Sequence, residues 1–196
     1  MKAVIIDNDD SFTGNLEHLL VDSIGSQPLI APYSYLDTVN PEDHDLAVIS
    51  AGPGKPSEYP DYAALLESGV PILGICLGMQ IINEHFGGET ARLPDCVHGK
   101  TDRVEFDGRT FTVARYHSLY LRRVADCLET IAVNATGVPM ALRHKTRRII
   151  GYQFHPESFM TPEGAYFADY AISFLCPNRS PEVPRGIRVA RKALRR

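Results

Sequence analysis

The sequence predicts an α/β domain: a mostly parallel sheet flanked by helices, with a smaller antiparallel addition. Three observations carry that expectation. Short, nearly unbroken apolar runs recur at 2–7, 28–31, 45–50 and 71–75, as in parallel strands buried on both faces. Segments with apolar residues at helical spacing lie between them. From 102 to 154 the pattern changes to short β-like runs broken by turn signals, which adds antiparallel pairing to the alternating part.

Taken in order, KAVIID at 2–7 is the first strand, ending in Asp7. Ser11 is placed to cap the helix that follows, whose Leu16, Leu19, Leu20 and Ile24 share one side and which Gly25 stops. Strands at 28–31 and 45–50 come next, then a Pro/Gly-rich loop from Ala51 to Pro60 with no regular structure. A helix from Tyr62 to Ser68 leads to the strand 71–75, and a helix from Leu77 to Phe86 closes at Gly87 and Gly88. Strand-like runs follow at 103–106, 110–114, 130–134, 141–143 and 149–154, with a turn at Asp107-Gly108. The last helix is expected over 162–175, with Pro162 in its first turn. Residues 1–176 thus form one domain, and 177–196 form a basic C-terminal tail.

Composition narrows the function. The chain has 196 residues, 44% hydrophobic and 22% charged, the balance of a soluble globular domain. Residues 185–196 carry six of the 20 basic side chains and none of the 24 acids, so the tail holds +6 and the rest −10. A body that acidic argues against nucleic acid as the main ligand, because phosphate neutralisation needs a basic face. The tail reads as a frayed end or a short basic helix, a candidate contact for an acidic neighbour. No apolar run is long enough to span a bilayer, and the N-terminal apolar stretch is too short for a signal peptide. A cytoplasmic protein with no membrane partner is expected. The four cysteines form no CxxC pair, so neither a zinc site nor a disulfide framework is indicated, and no metal is expected in this chain.

The chemistry gathers at three places. Gly74-Ile75-Cys76-Leu77-Gly78 joins a strand to a helix in the form of a nucleophile elbow, with Cys in place of Ser. The crowded turn needs glycine two residues to either side, and the helix N-terminus favours thiolate over thiol. The alternative for Cys76 is a small buried hydrophobe. His155 follows an apolar strand, at the sheet edge where α/β sites form. With Pro156 keeping the chain extended, His155 and Glu157 fall on the same side. Glu157 can then orient the imidazole as base, the logic of a Cys–His–Glu triad. Gly52-Pro53-Gly54 follows a strand and can present N–H groups to an oxyanion, with the Leu77 N–H as a second donor.

GICLGMQ at 74–80, SAGPGKP at 50–56, RYHSL at 115–119 and GYQFHPES at 151–158 together resemble the class I (triad) glutamine amidotransferases, whose sheet is flavodoxin-like. IIDNDDSFTGNL at 5–16, HGK at 98–100 and the HPES ending are similar to the glutaminase subunit of anthranilate synthase and of aminodeoxychorismate synthase. The chain departs from that branch's usual pattern at Asp9, Gly14 and Met79.

The resemblance implies that Cys76 attacks the side-chain amide of L-glutamine, with His155 and Glu157 moving the proton. It implies oxyanion donors around Gly54 and at Leu77. Gln80 and the Ser118-Leu119 backbone would hold the glutamine α-groups, Tyr116 and His117 would shape that loop, and Lys100 and His98 would lie near the partner. The ammonia would pass to a chorismate-using synthase subunit, which carries Mg²⁺; this chain is expected to hold no cofactor. Two other readings stand beside this one. A stand-alone γ-glutamyl cysteine hydrolase would use the same triad. A flavodoxin-like phosphate or FMN binder would use the loop Ser11–Asn15, against the repulsion of Asp7, Asp9 and Asp10.

Overall fold

The computed structural model describes residues 1–93 and 99–178. Cys96, His98 and the tail 185–196 lie outside them. In chain order the elements are β1 (Ala3–Asp7), α1 (Thr13–Ile24), β2 (Leu29–Pro32), β3 (Leu46–Ile49), α2 (Ala63–Glu67), β4 (Ile72–Ile75) and α3 (Leu77–His85). They continue as β5 (Glu89–Arg92), β6 (Lys100–Phe106), β7 (Arg109–Arg115), β8 (Leu119–Arg123), β9 (Leu128–Asn134), β10 (Pro139–His144), β11 (Ile149–Tyr152) and α4 (Gly164–Leu175).

One nine-stranded sheet runs in the order β2-β1-β3-β4-β11-β10-β9-β6-β7. The pairings from β2 through β11 are parallel, and those from β11 through β7 are antiparallel. The antiparallel strands therefore extend the parallel sheet edge to edge. Period-two alternation deals the strand side chains to opposite faces. Ile5 packs with Leu16, Leu20, Phe167 and Ala171 of α1 and α4. Val4 and Ile6 pack with Leu65, Leu66, Met79 and Ile82 of α2 and α3. With both faces covered, the parallel strands end together at one edge, where Asn8, Ser50, Cys76 and His155 lie; ligand sites of open α/β sheets form at that edge.

Several local expectations change. Ser11 does not cap α1: the helix starts at Thr13 with no side-chain cap on Phe12. Asp7 holds this start instead, accepting from the Asp10 N–H at 3.1 Å and the Thr13 hydroxyl at 2.7 Å. Pro162 precedes α4 and is outside its first turn; Gly164 begins the helix, where a side chain would collide with the Pro156 carbonyl. The loop 51–60 contains a single helical turn at Pro56–Glu58, further single turns occupy Pro41–Asp43 and Pro60–Tyr62, and two turns occupy Tyr33–Thr38. A small antiparallel pair, β5 with β8, is additional.

Candidate active site

The elbow forms for steric reasons that the residues state themselves. Cys76 takes φ 50° and ψ −100° between β4 and α3, a strained setting for a residue with a side chain. A Cβ at Gly74 would come within 2.5 Å of the Ile82 side chain and 2.7 Å of the Gly78 backbone. A Cβ at Gly78 would strike the Ile49 carbonyl of β3. Both glycines are thus required for the turn to close against the sheet. Gly78→Ala is expected to destabilise the fold by about 1–3 kcal/mol, the usual cost of overpacking. Urea unfolding measures it, and an unchanged midpoint would contradict this account.

His155 lies three residues beyond β11, bridged to Ala114 of β7. Its Nδ1–H donates to Glu157 Oε1 at 2.6 Å. The pairing is made by a turn, in place of the extended chain expected from Pro156: the Ser158 N–H donates to the His155 carbonyl at 3.3 Å. Proline suits the second position of such a turn as well as it suits an extended strand. The Thr161 hydroxyl donates to the His155 carbonyl at 2.7 Å and accepts from the Ala114 N–H at 3.0 Å, fixing the turn to β7. The imidazole is packed by Tyr116, edge-on with centroids 5.0 Å apart, and by Phe12 at 6.1 Å.

Both groups are buried, His155 3% and Glu157 8% exposed. Burial opposes the imidazolium, but negative charge on the Cys76 sulfur and the Glu157 carboxylate outweigh it and hold the His155 pKa well above its usual value. Nε2 has no conventional hydrogen-bond partner among the described residues, and it is this buried ring that interacts with Cys76. A second acid, Asp10, brings a carboxylate oxygen within 4.8 Å of the His155 and Glu157 donor atoms. Burial raises its pKa, offset in part by the His155 charge.

A cavity of about 150 Å³ opens on the sulfur. Its lining combines Gly52, Pro53 and Gly54 with Cys76, Leu77 and Gln80 on one side and Tyr116, His117, Ser118 and Leu119 on the other. This is well below the ~300–1,000 Å³ of sites for drug-sized ligands, and suits a molecule of amino-acid size. Every expected substrate-contacting residue lines this one space. A larger cavity of about 600 Å³ lies at the opposite end of the strands, beside Met1, Val70 and Arg148, away from these groups.

The glycine loop is braced from below. The Asn8 N–H donates to the Ser50 hydroxyl at 2.9 Å, and its side-chain amide donates to the Ser50 carbonyl at 3.0 Å. Tyr62 donates to Asn8 Oδ1 at 2.6 Å, and burial pushes its phenol pKa up. A Cβ on Gly52 would come within 2.5 Å of the Asn8 carbonyl, and Gly54 adopts φ +78°. The absence of a side chain at Gly52 lets the backbone lie close to the end of β1, and at Gly54 it leaves room for the Glu58 carboxylate, which a Cβ there would strike.

Sequence reasoning did not single out Asn8, Tyr62, Asp10, Arg115 or Gln153. Asn8, Asp10, Arg115 and Gln153 stand inside quoted motifs, so that placement was the available signal. The three departures have local settings: Asp9 adopts φ 61°, Gly14 faces open space, and buried Met79 packs on Gly151. The phosphate-loop reading loses one of its donors, because the Thr13 hydroxyl is committed to Asp7.

Nucleophile elbow, imidazole–carboxylate pair and glycine loop together equip this edge for acyl transfer through a thioester. A family model described as Glutamine amidotransferase class-I matches residues 4–172, and the chain belongs to that family. Among relatives, the chain is 35% identical to anthranilate synthase component 2 of Helicobacter pylori, over 89% of this chain and 98% of that protein. It is 38% identical to a multifunctional tryptophan biosynthesis protein of Pichia angusta over 83% of the chain, and 37% identical to an aminodeoxychorismate synthase of Streptomyces griseus over 84%. It spans only 48% and 25% of those two longer proteins. A solved Thermoplasma acidophilum structure, described as that of a GMP synthase subunit, has a TM-score of 0.78 at 25% identity, covering 91% of this chain and 96% of that one.

Proposed function

We propose that this chain is the glutaminase subunit of a chorismate-using synthase, making ammonia for anthranilate or 4-amino-4-deoxychorismate. The observation that carries the reading is the convergence of Cys76 and the Gly52–Gly54 loop on one cavity of amino-acid size, with the buried His155–Glu157 pair interacting with the same sulfur. The near full-length match to a component 2 protein supports its role as one part of a larger synthase.

In this reading Cys76 Sγ attacks the amide carbon of glutamine. The oxyanion is taken by N–H groups near Gly54 and by the Leu77 N–H, a first-turn donor of α3 with no intrahelical partner. His155 gives its proton to the departing nitrogen, so the C–N bond breaks and NH₃ leaves with a glutamyl thioester behind. Water, deprotonated by His155, cleaves the thioester to glutamate and returns the thiolate. Gln80 and the Ser118-Leu119 backbone hold the amino-acid end. Ammonia is mostly protonated in neutral water, so a nucleophilic free base must be handed over within the assembly. The chorismate site and its Mg²⁺ belong to the partner, and this chain works without a cofactor in the cytoplasm. Among the described residues no helix is long and apolar enough to cross a membrane.

Glutamine hydrolysis should be weak for the isolated chain and rise on adding an anthranilate or aminodeoxychorismate synthase subunit, with the aromatic product identifying the pathway. Turnover of γ-glutamyl peptides with no response to either subunit would instead identify a stand-alone hydrolase.

A further inference from the structure

A run of buried and half-buried hydrogen bonds joins the antiparallel half of the sheet to the reactive sulfur. At its far end the Arg115 guanidinium donates to Asp102 of β6 at 2.5 Å, and Asn134 of β9 donates to the same carboxylate oxygen at 2.8 Å. Arg115 Nε meets His117 Nε2 at 3.0 Å, and His117 Nδ1 meets the Leu119 carbonyl at 2.6 Å. Gln80 Nε2 reaches that carbonyl at 3.3 Å and Gln153 Oε1 at 3.0 Å. Gln153 Nε2 ends the run on Cys76 Sγ at 3.6 Å.

Chemistry fixes the direction of every bond. A guanidinium only donates, so His117 Nε2 must accept and the ring proton sits on Nδ1, pointing at Leu119. Burial, and then the neighbouring Arg115 charge, hold the His117 pKa down to about 4, so the ring stays neutral at working pH. A carbonyl only accepts, so Gln80 turns its NH₂ toward Leu119, and the same NH₂ serves Gln153 Oε1. That leaves the Gln153 NH₂ facing the sulfur. A donor there favours thiolate over thiol.

We propose that Gln153 holds the Cys76 thiolate during glutamine hydrolysis and that Arg115 and His117 are its positioning residues, acting through Leu119 and Gln80. This assignment rests on the glutaminase reading above. The donor serves the thiolate twice: before it attacks the amide, and when it leaves the thioester. His117 has a second effect, because the carbonyl it anchors belongs to the backbone that meets the substrate. Asp102, two residues from Lys100, joins β6 to this run, which ends on the sulfur.

The test is alkylation of Cys76 by iodoacetamide at pH 7 on the full-length chain, followed on the Cys76 peptide by mass spectrometry. Gln153→Met should slow labelling about tenfold, the scale of one lost charge-assisted hydrogen bond. His117→Leu should slow it severalfold and raise the glutamine KM more than it lowers kcat. His117→Asn, which keeps an N–H near the Nδ1 position, should restore most of both losses. Wild-type labelling in folded Gln153→Met overturns the proposal. If circular dichroism finds that variant unfolded, the His117 pair decides, and equal rates in His117→Leu and His117→Asn overturn it. Alkylation needs no glutamine turnover. A wild-type chain that labels as described but hydrolyses no glutamine with either synthase subunit therefore overturns the glutaminase reading and leaves the sulfur contact standing.

Discussion

Cys76→Ala is expected to lower glutamine-dependent synthesis by the assembled enzyme about 10⁴-fold or more, while ammonia-dependent synthesis stays at the wild-type rate. The size follows from what is removed: without the sulfur no thioester forms, and loss of a covalent nucleophile ordinarily costs that much or more. The selectivity follows from geometry. Exogenous ammonia enters after the step that Cys76 performs, so it needs only a partner correctly docked on a folded chain. Alanine is the suitable replacement because it keeps a Cβ at φ 50° and so leaves the elbow's strain in place. Glycine would relax that strain and could move α3 with it. Product formation with saturating glutamine and with ammonium salt, measured on the same preparation, gives both rates. Equal loss of both activities would mean that the substitution disturbs assembly; retained glutamine-dependent turnover would refute the thioester route.

How much of this site could be read in advance depended on the kind of signal each residue leaves. β1, β3 and β4 were legible because strands buried on both faces must be apolar throughout; β11, expected among the antiparallel runs, instead pairs parallel with β4. β5 and β8 were not, because their residues are mostly half-exposed and several are charged, so neither a continuous run nor a clean alternation marks them. Cys76 was legible from its flanking glycines, each needed by a close approach to backbone. Ser11 misled because Asp7, six residues before Thr13, took over the local hydrogen bonds at the start of α1. Pro156 misled because a fixed φ fits a turn as well as a strand.

The polar residues behind the site were the least visible. Gln153 touches a sulfur 77 positions away and an amide 73 positions away, and Asn8 pins a loop 42 positions on. A buried polar side chain is stable only with its partners, and sequence periodicity carries no record of which distant group supplies them. Charge was a different matter. The acidic body excluded a broad anion-binding face before any site was known, and a small cavity lined by positioned polar groups is consistent with that exclusion.

Glu157→Gln should reduce kcat for glutamine hydrolysis about 10³–10⁴-fold, comparable to neutralising the carboxylate of a serine-protease triad. The substitution is close to isosteric, which matters for a side chain with no exposed surface. Its effect is therefore electrical and directional more than steric. The raised His155 pKa is sustained against burial by charge on the Cys76 sulfur and by Glu157. An amide supplies no charge, so the His155 pKa must fall in the variant. The sign for catalysis follows. His155 has to be protonated to release ammonia, and that form is lost as pH rises through its pKa; lowering the pKa moves the alkaline limb of kcat/KM to lower pH. The amide can also turn its NH₂ toward Nδ1, which forces the ring proton onto Nε2 and removes the lone pair needed to deprotonate water. Glu157→Asp keeps the charge but shortens the reach that now closes at 2.6 Å, so it should retain more of the alkaline limb than Glu157→Gln at a similar loss in kcat. pH–rate profiles of the assembled enzyme distinguish these outcomes. An alkaline limb in Glu157→Gln that matches the wild type would mean that Glu157 does not set the charge state of His155, and the triad would have to be redrawn around Asp10.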